Sequence, residues 1–418
     1  MTSPTKSSER SSMLDSIRGI ALFGIFLNNV YGFSGYPFLP EEIRKEFASY
    51  PLDKAVDVFQ HLFIEGKFYS LFSLLFGIGF SIILLRNKEK GLAGLKIFYR
   101  RIFILAIIGF LHLRFLWSGD ILLLYALLGC LLPLFRNCTD RTLLIWAAAL
   151  ILSPILIDTF KIILQASPGS FMENIAINVD ATHGLDDNNW RTYLFKEGSG
   201  FREWFNWLPG GPYWRYESLL NSNRLPKVLG MFLIGFYAGR KHIYSSPGQY
   251  KSLLKKVMVW GFAIAVPASI AMVWFADDGK YVFKSAWGLL DTFFYAISVV
   301  PLSLAYASSI ALLWIKTGGN TGFKVFAPAG RMALTNYLTQ TIFGIIIFYG
   351  LGFGLGQKIG LAACFGIVIV VYALQVLFSR YWFKYFLYGP MEWIWRQLTY
   401  GKKLPMRKGR DENLNKPI

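Results

Sequence analysis

Apolar runs of about 20 residues recur along this chain, the length an α-helix needs to cross roughly 30 Å of hydrocarbon. A bilayer offers no water to pair with exposed backbone groups, so each run must satisfy its own N–H and C=O groups, which a helix does. The expected fold class is therefore all-α: a polytopic transmembrane helix bundle. About ten spans are read, near Ile17–Phe33, Gly66–Leu85, Ile102–Trp117, Ile121–Phe135, Thr142–Leu164, Leu225–Gly239, Val257–Phe275, Ser285–Ile315, Ala333–Leu351 and Gly360–Phe378. Pro301 is expected to kink the eighth.

The segments between the spans set the orientation. The net charge is +18, and the basic residues gather between apolar runs, as in membrane proteins, which argues against nucleic-acid binding. The basic 86–101 loop, the 240–256 loop and the tail from Arg396 fall on one side if both termini are cytoplasmic. This gives five segments: a disordered tail over 1–12, an N-terminal membrane bundle over 13–164, an outward-facing Trp-rich region over 165–224, a C-terminal membrane bundle over 225–395, and a basic cytoplasmic tail over 396–418. The stretch from Ser34 to about Glu65 reads as a loop with a short amphipathic helix. FREWFNWL, in the Trp-rich region, reads as a short helix in the headgroup zone. The first apolar run lacks an A-x-A-like cleavage site and leads into Asn28 and Asn29, so it reads as a retained helix.

Several chemistries are disfavoured. Cys130, Cys138 and Cys364 form no CxxC, and the four histidines show no metal-ligand spacing, so neither a disulfide framework nor a metal site is expected. No Walker loop and no G-x-S-x-G elbow occurs.

What remains is a small set of polar residues in or beside the spans, where an ionisable group costs free energy and marks a candidate site. Asp15 and Arg18 share a face at the start of the first span: a helix-anchoring ion pair, or a hold on an anionic group. Asn28 and Asn29 lie about 15 Å further along. Glu65 and Lys67 open the second span, where snorkelling to the interface is the simplest account of Lys67. Ser73, Gly77 and Gly79 permit close helix packing. His112 and Arg114 end the third span, and Asp120 begins the fourth across a Ser118-Gly119 turn. The pair fits an imidazole oriented by a carboxylate, and equally a core histidine beside a helix-capping aspartate. Arg331 precedes a polar stripe of Thr335, Asn336, Thr339 and Gln340, which fits interhelical hydrogen bonding or the wall of a substrate pathway.

The motifs L-D-S-I-R-G-I-A-L with Asn29, E-G-K-F-Y-S-L-F-S-L-L-F-G-I-G-F, G-F-L-H-L-R-F-L-W-S-G-D-I-L-L-L-Y-A-L-L-G and G-R-M-A-L-T-N-Y-L-T-Q resemble, in order, those of the YeiB-type family of bacterial inner-membrane proteins. The resemblance covers nearly the whole chain. The opening motif is also similar to that of two kinds of membrane acyltransferase, the bacterial acyltransferase-three family and the lysosomal heparan-α-glucosaminide acetyltransferase. The former places a histidine about where Asn29 stands here; the latter has asparagine. The resemblance implies transfer of an acyl group from a cytoplasmic acyl-CoA, used as donor substrate with no bound cofactor, to a small-molecule or glycan acceptor beyond the bilayer. Without a histidine at position 29, His112 becomes the expected base and Asp120 its orienter. Arg18 is placed near the CoA phosphates, and Asn29 and Asn336 along the pathway. Lys67, Arg114 and Arg331 complete the expected donor- and substrate-binding set. A small-molecule transporter or exporter lined by the same residues, and a non-catalytic membrane partner, are the alternatives.

Overall fold

The computed structural model describes residues 11–86, 92–186, 188–277 and 286–408. Among these the regular structure is helical, apart from one isolated β-bridge between Phe386 and Arg407. The 1–12 tail lies almost wholly outside the described residues, as do residues 278–285 and the end of the basic tail. Among the described residues six helices are long and apolar enough to cross a membrane: Ser12–Ser34, Tyr50–Leu85, Asp140–Leu164, Pro247–Phe275, Trp287–Lys316 and Leu361–Tyr385. Leu122–Phe135 and Ala333–Phe348 are shorter apolar helices.

α1 (Ser12–Ser34) starts where the Ser11 hydroxyl accepts from Leu14 N and ends at Gly35, whose φ of 62° lets its N–H reach the Tyr31 carbonyl. The next segment is more helical than its prolines suggest. Pro40 and Pro51 sit at helix starts, where a missing N–H costs nothing, so α2 (Glu41–Glu46) and α3 (Tyr50–Phe59) form. A π turn over Gln60–Ile64 leads into α4 (Lys67–Arg86).

α5 (Leu92–Phe115) begins ten residues before Ile102. The basic stretch with Lys96, Arg100 and Arg101 is therefore helix and not loop. Lys and Arg are good helix formers, so the edge of an apolar run is not the edge of a helix. α6 (Leu122–Gly129) stops early because Pro133 lacks an N–H and its ring would meet the carbonyl of Gly129, and the chain continues as a 3-10 turn over Leu132–Phe135. α7 (Asp140–Leu164) follows. The region expected outside the bilayer folds into α8 (Ser170–Thr182), α9 (Phe201–Trp207) and α10 (Gly211–Asn221), and α9 is the helix that FREWFNWL predicts.

α11 (Arg224–Arg240), α12 (Lys251–Asp277) and α13 (Ala286–Lys316) come next, with Pro301 inside α13. The chain then runs through α14 (Ala327–Arg331), α15 (Ala333–Phe348), α16 (Leu361–Tyr385) and α17 (Pro390–Tyr400).

α1 is the central post, packed against α4, α14, α15 and α16. α7 and α12 lie at the periphery and expose large apolar side chains such as Leu156, Phe160, Trp260 and Trp274, as a lipid-facing helix does. Gly77 and Gly235 bring α4 and α11 together backbone to backbone: a Cβ on Gly77 would press on the Phe232 carbonyl, and one on Gly235 on the Leu74 carbonyl. Gly79, by contrast, has nothing near its missing Cβ. Gly77→Ala is thus expected to cost about 1–3 kcal/mol by overpacking, while Gly79→Ala leaves the midpoint of thermal unfolding in detergent unchanged. Equal midpoints for the two variants would remove this account of the α4–α11 contact.

Candidate functional site

Two cavities meet in the middle of the bundle. The first, about 320 Å³, lies among α1, α4, α5, α15 and α17 and is walled by apolar side chains such as Leu22, Phe72, Leu75, Phe80 and Leu105. Its lining also holds four arginines: Arg18, Arg101, Arg331 and Arg396. Arg18 Nη1 donates to Asp15 Oδ1 at 2.6 Å and to the Gly330 carbonyl at 3.4 Å. Arg331 donates to the Leu387 carbonyl at 2.7 Å and stacks 4.1 Å from the Phe383 ring. Arg101 stacks 4.0 Å from Trp395 of α17.

α17 also brings Glu392 to this wall. Its carboxylate accepts from Leu334 N at 2.7 Å and Thr335 Oγ1 at 2.6 Å, and so caps α15, whose first residue has no side-chain cap of its own. Burial pushes the Glu392 carboxyl above its usual range, against the pull of these donors.

The second cavity, about 240 Å³, is more polar than the first and lies at the opposite end of α1 from Arg18. Asn28, Asn29, Tyr69, Arg215 and Arg224 line it. Asn28 Oδ1 accepts from Gln60 Nε2 at 3.1 Å, and Arg224 lies 4.3 Å from the Tyr69 ring. Ile25, Ile121 and Tyr337 line both cavities and form the partition between them.

His112 and Asp120 sit behind that partition. The Gly119 turn brings them together, with Nδ1 of His112 2.8 Å from Asp120 Oδ2. The other ring nitrogen meets Thr341 Oγ1 at 2.9 Å, and both side chains are 1% exposed. Asp120 Oδ1 accepts from Leu123 N at 2.8 Å and holds the start of α6, while its backbone carbonyl accepts from Arg215 Nε at 2.8 Å. The pair therefore fixes both the α5–α6 turn and an arginine of the second cavity. His112 lines neither cavity; its carbonyl accepts from Trp117 N at 3.0 Å, and its ring centre lies 5.2 Å from that of Tyr337, both residues that line the second cavity.

Of the other expected site residues, Arg18 and Arg331 converge on the first cavity and Asn29 reaches the second. Lys67, Arg114 and Asn336 reach neither. Lys67 does not snorkel: it is fully buried, and its Nζ donates to the His61 carbonyl at 2.7 Å, since the π turn folds that carbonyl over it. Arg114 packs against Phe115. Asn336 donates to Ala329 O and Ser379 Oγ, and Gln340 donates to Gln375 Oε1 at 3.0 Å, so these two residues of the polar stripe tie α15 to α16 and line neither of the two cavities.

The sequence reading passed over Tyr337, Arg101, Arg215, Arg224 and Arg396. Tyr337 stands inside a quoted motif, and Arg224 opens an apolar run; those positions were the available signals.

Comparison with known proteins gives the chain its relatives. The DUF418 model, for a protein family of unknown function, matches residues 238–402. The uncharacterized protein YxaH of Bacillus subtilis (strain 168) is 31% identical over 97% of this chain and 98% of its own length. The uncharacterized protein YeiB of Escherichia coli (strain K12) is 30% identical over 94% of this chain and 96% of its own. An uncharacterized 39.9 kDa protein from the amylase 3′ region of Bacillus acidopullulyticus is 26% identical over 96% of this chain and 97% of its own. No solved structure matches the chain. On identity of this extent along its whole length, the chain belongs to the YeiB-like DUF418 family.

Proposed function

We propose that this protein transfers acyl groups across the bacterial inner membrane, from a cytoplasmic acyl-CoA in the arginine-lined cavity to an outward acceptor in the more polar one. The observation that carries this reading is the pair of cavities set back to back on a partition of Ile25, Ile121 and Tyr337. An apolar cavity with arginines at its rim suits a molecule with a polyanionic head and an apolar or thioester-bearing tail. The positive-inside rule puts those arginines, and both termini, on the cytoplasmic face.

In this reading Arg18 and Arg331 hold CoA phosphates, and the thioester reaches Tyr337. The acceptor hydroxyl or amine, held by Asn29 and Arg215, attacks the thioester carbonyl. The C–S bond breaks, the acyl group passes to the acceptor, and CoA leaves as the thiol. His112 takes the acceptor's proton, Asp120 stabilises the imidazolium, and that proton then passes to the departing thiolate, all of which requires the Thr341 contact to open.

The test is thermal stabilisation of the purified chain by acetyl-CoA and by longer acyl-CoAs. A donor at 100-fold excess over Kd is expected to add about 2.7 kcal/mol, and Arg18→Ala to abolish the shift. No shift with any acyl-CoA, in protein shown to be folded, would overturn the proposal.

A further inference from the structure

A third cavity, about 330 Å³, lies between α7, α11, α12 and α13, and Arg224 links it to the second cavity already described. Part of its wall is self-satisfied. Lys161 Nζ lies 2.7 Å from Asp158 Oδ1, and the remaining Asp158 oxygen accepts from Thr292 Oγ1 at 2.6 Å. Asn223 completes that cluster by donating to Asp158 and accepting from Lys161.

His61 and Glu65, on the same wall, lie 3.5 Å apart and offset each other, while four further groups of the lining are not satisfied. Lys227 is buried with its ammonium 4.1 Å from the Tyr295 ring, and no ion pair or hydrogen bond joins it to another described residue. Asp291 has no ion pair or hydrogen bond among the described residues either. Ser222 Oγ and Arg224 Nε are buried without a hydrogen-bond partner. Buried polar groups such as those of Lys227, Ser222 and Arg224 cost free energy unless a ligand or water pairs with them, and the half-buried Asp291 carboxylate faces the same space.

The unmet groups are of both signs. An anion alone would leave Asp291 bare, and a cation alone would leave Lys227, Arg224 and Ser222. We infer that this cavity binds a small zwitterion: a primary ammonium for Asp291, and a carboxylate or phosphate a few bonds away for Lys227, Arg224 and Ser222. The cavity has room for about ten waters' volume, enough for such a molecule. This binding needs no acyl donor, so its failure would leave the acyl-transfer reading standing, and the reverse.

The experiment uses the full chain in phosphatidylglycerol nanodiscs, with β-alanine and phosphoethanolamine as probes and ethanolamine, acetate and inorganic phosphate as single-charge controls. At least one zwitterion is expected to bind about tenfold or more tightly than either of its charged halves by calorimetry. Asp291→Asn and Lys227→Gln are each expected to weaken it by about the same factor, and Ser222→Ala, a milder change, by less. Weaker binding of phosphoethanolamine in phosphatidylethanolamine nanodiscs would identify a lipid headgroup as the occupant, and equal binding a free solute; both support the site. No zwitterion binding, binding matched by ethanolamine or phosphate alone, or wild-type affinity in folded Asp291→Asn would overturn it and leave a water-filled cavity.

Discussion

Replacing Asp120 with alanine is expected to cost about 1.5–5 kcal/mol, from a buried imidazole N–H left unpaired (about 1–3 kcal/mol) and a lost helix cap (about 0.5–2 kcal/mol). Three groups lose their partner or their support at once. His112 Nδ1 is left without an acceptor in a site 1% exposed, Leu123 N loses the carboxylate that starts α6, and the turn whose Asp120 carbonyl holds Arg215 is loosened. The double variant His112→Ala/Asp120→Ala should cost less than the sum of the single changes, because the second removes the orphan the first creates. The thermal unfolding midpoint in detergent reads all three. Additive losses would mean that the two side chains do not act as a pair.

The second large effect is expected at Lys161, a residue that lines neither of the two central cavities. Its ammonium is 4% exposed and is satisfied by Asp158 Oδ1, the Asn221 carbonyl at 2.8 Å and Asn223 Oδ1 at 2.9 Å. Lys161→Ala strands the Asp158 carboxylate between Asn223 and Thr292 and should cost about 3–5 kcal/mol. Removing both charges, as in Asp158→Leu/Lys161→Met, should recover much of that loss, since an apolar pair carries no desolvation penalty. A double variant as unstable as Lys161→Ala would show that the ion pair is net stabilising and not a balanced pair of costs. Because Lys161 touches neither of the two central cavities, the account expects its loss to appear in stability before it appears in acyl-CoA affinity.

The path from sequence to fold was shortest where the bilayer dictates the answer. Each of the ten apolar runs contains helix among the described residues, as a chain in hydrocarbon must pair its own backbone, but only six of those helices are long and apolar enough to cross a bilayer. The ends were less legible. Hydropathy marks where a helix can meet lipid and says nothing of where it starts, so α5 extends back through Arg101, Arg100 and Lys96 to Leu92. Pro133 shortens α6 by a local steric rule that an apolar count does not see. The His112–Asp120 pair was legible because one short turn joins its members. The cavities were not, since each draws on helices distant in sequence: Tyr337 from α15, Arg215 from α10, Arg396 from α17. Asn336 misled for a related reason. A polar stripe on a spanning helix faces either a cavity or a neighbour, and only Ser379 and Gln375 on α16 decide between them.

The partition is the centre of the account, and cysteine accessibility tests it most directly. Single cysteines at Leu75 and at Asn28 would be placed, one at a time, in a chain with Cys130, Cys138 and Cys364 replaced, and membrane-impermeant maleimide applied from either face of sealed vesicles. The account predicts that Leu75→Cys is labelled only from the cytoplasmic face and is protected by palmitoyl-CoA. It predicts that Asn28→Cys is labelled only from the opposite face, with or without the donor. Labelling of either cysteine from both faces would contradict it, and would make the two cavities one route for a transported solute.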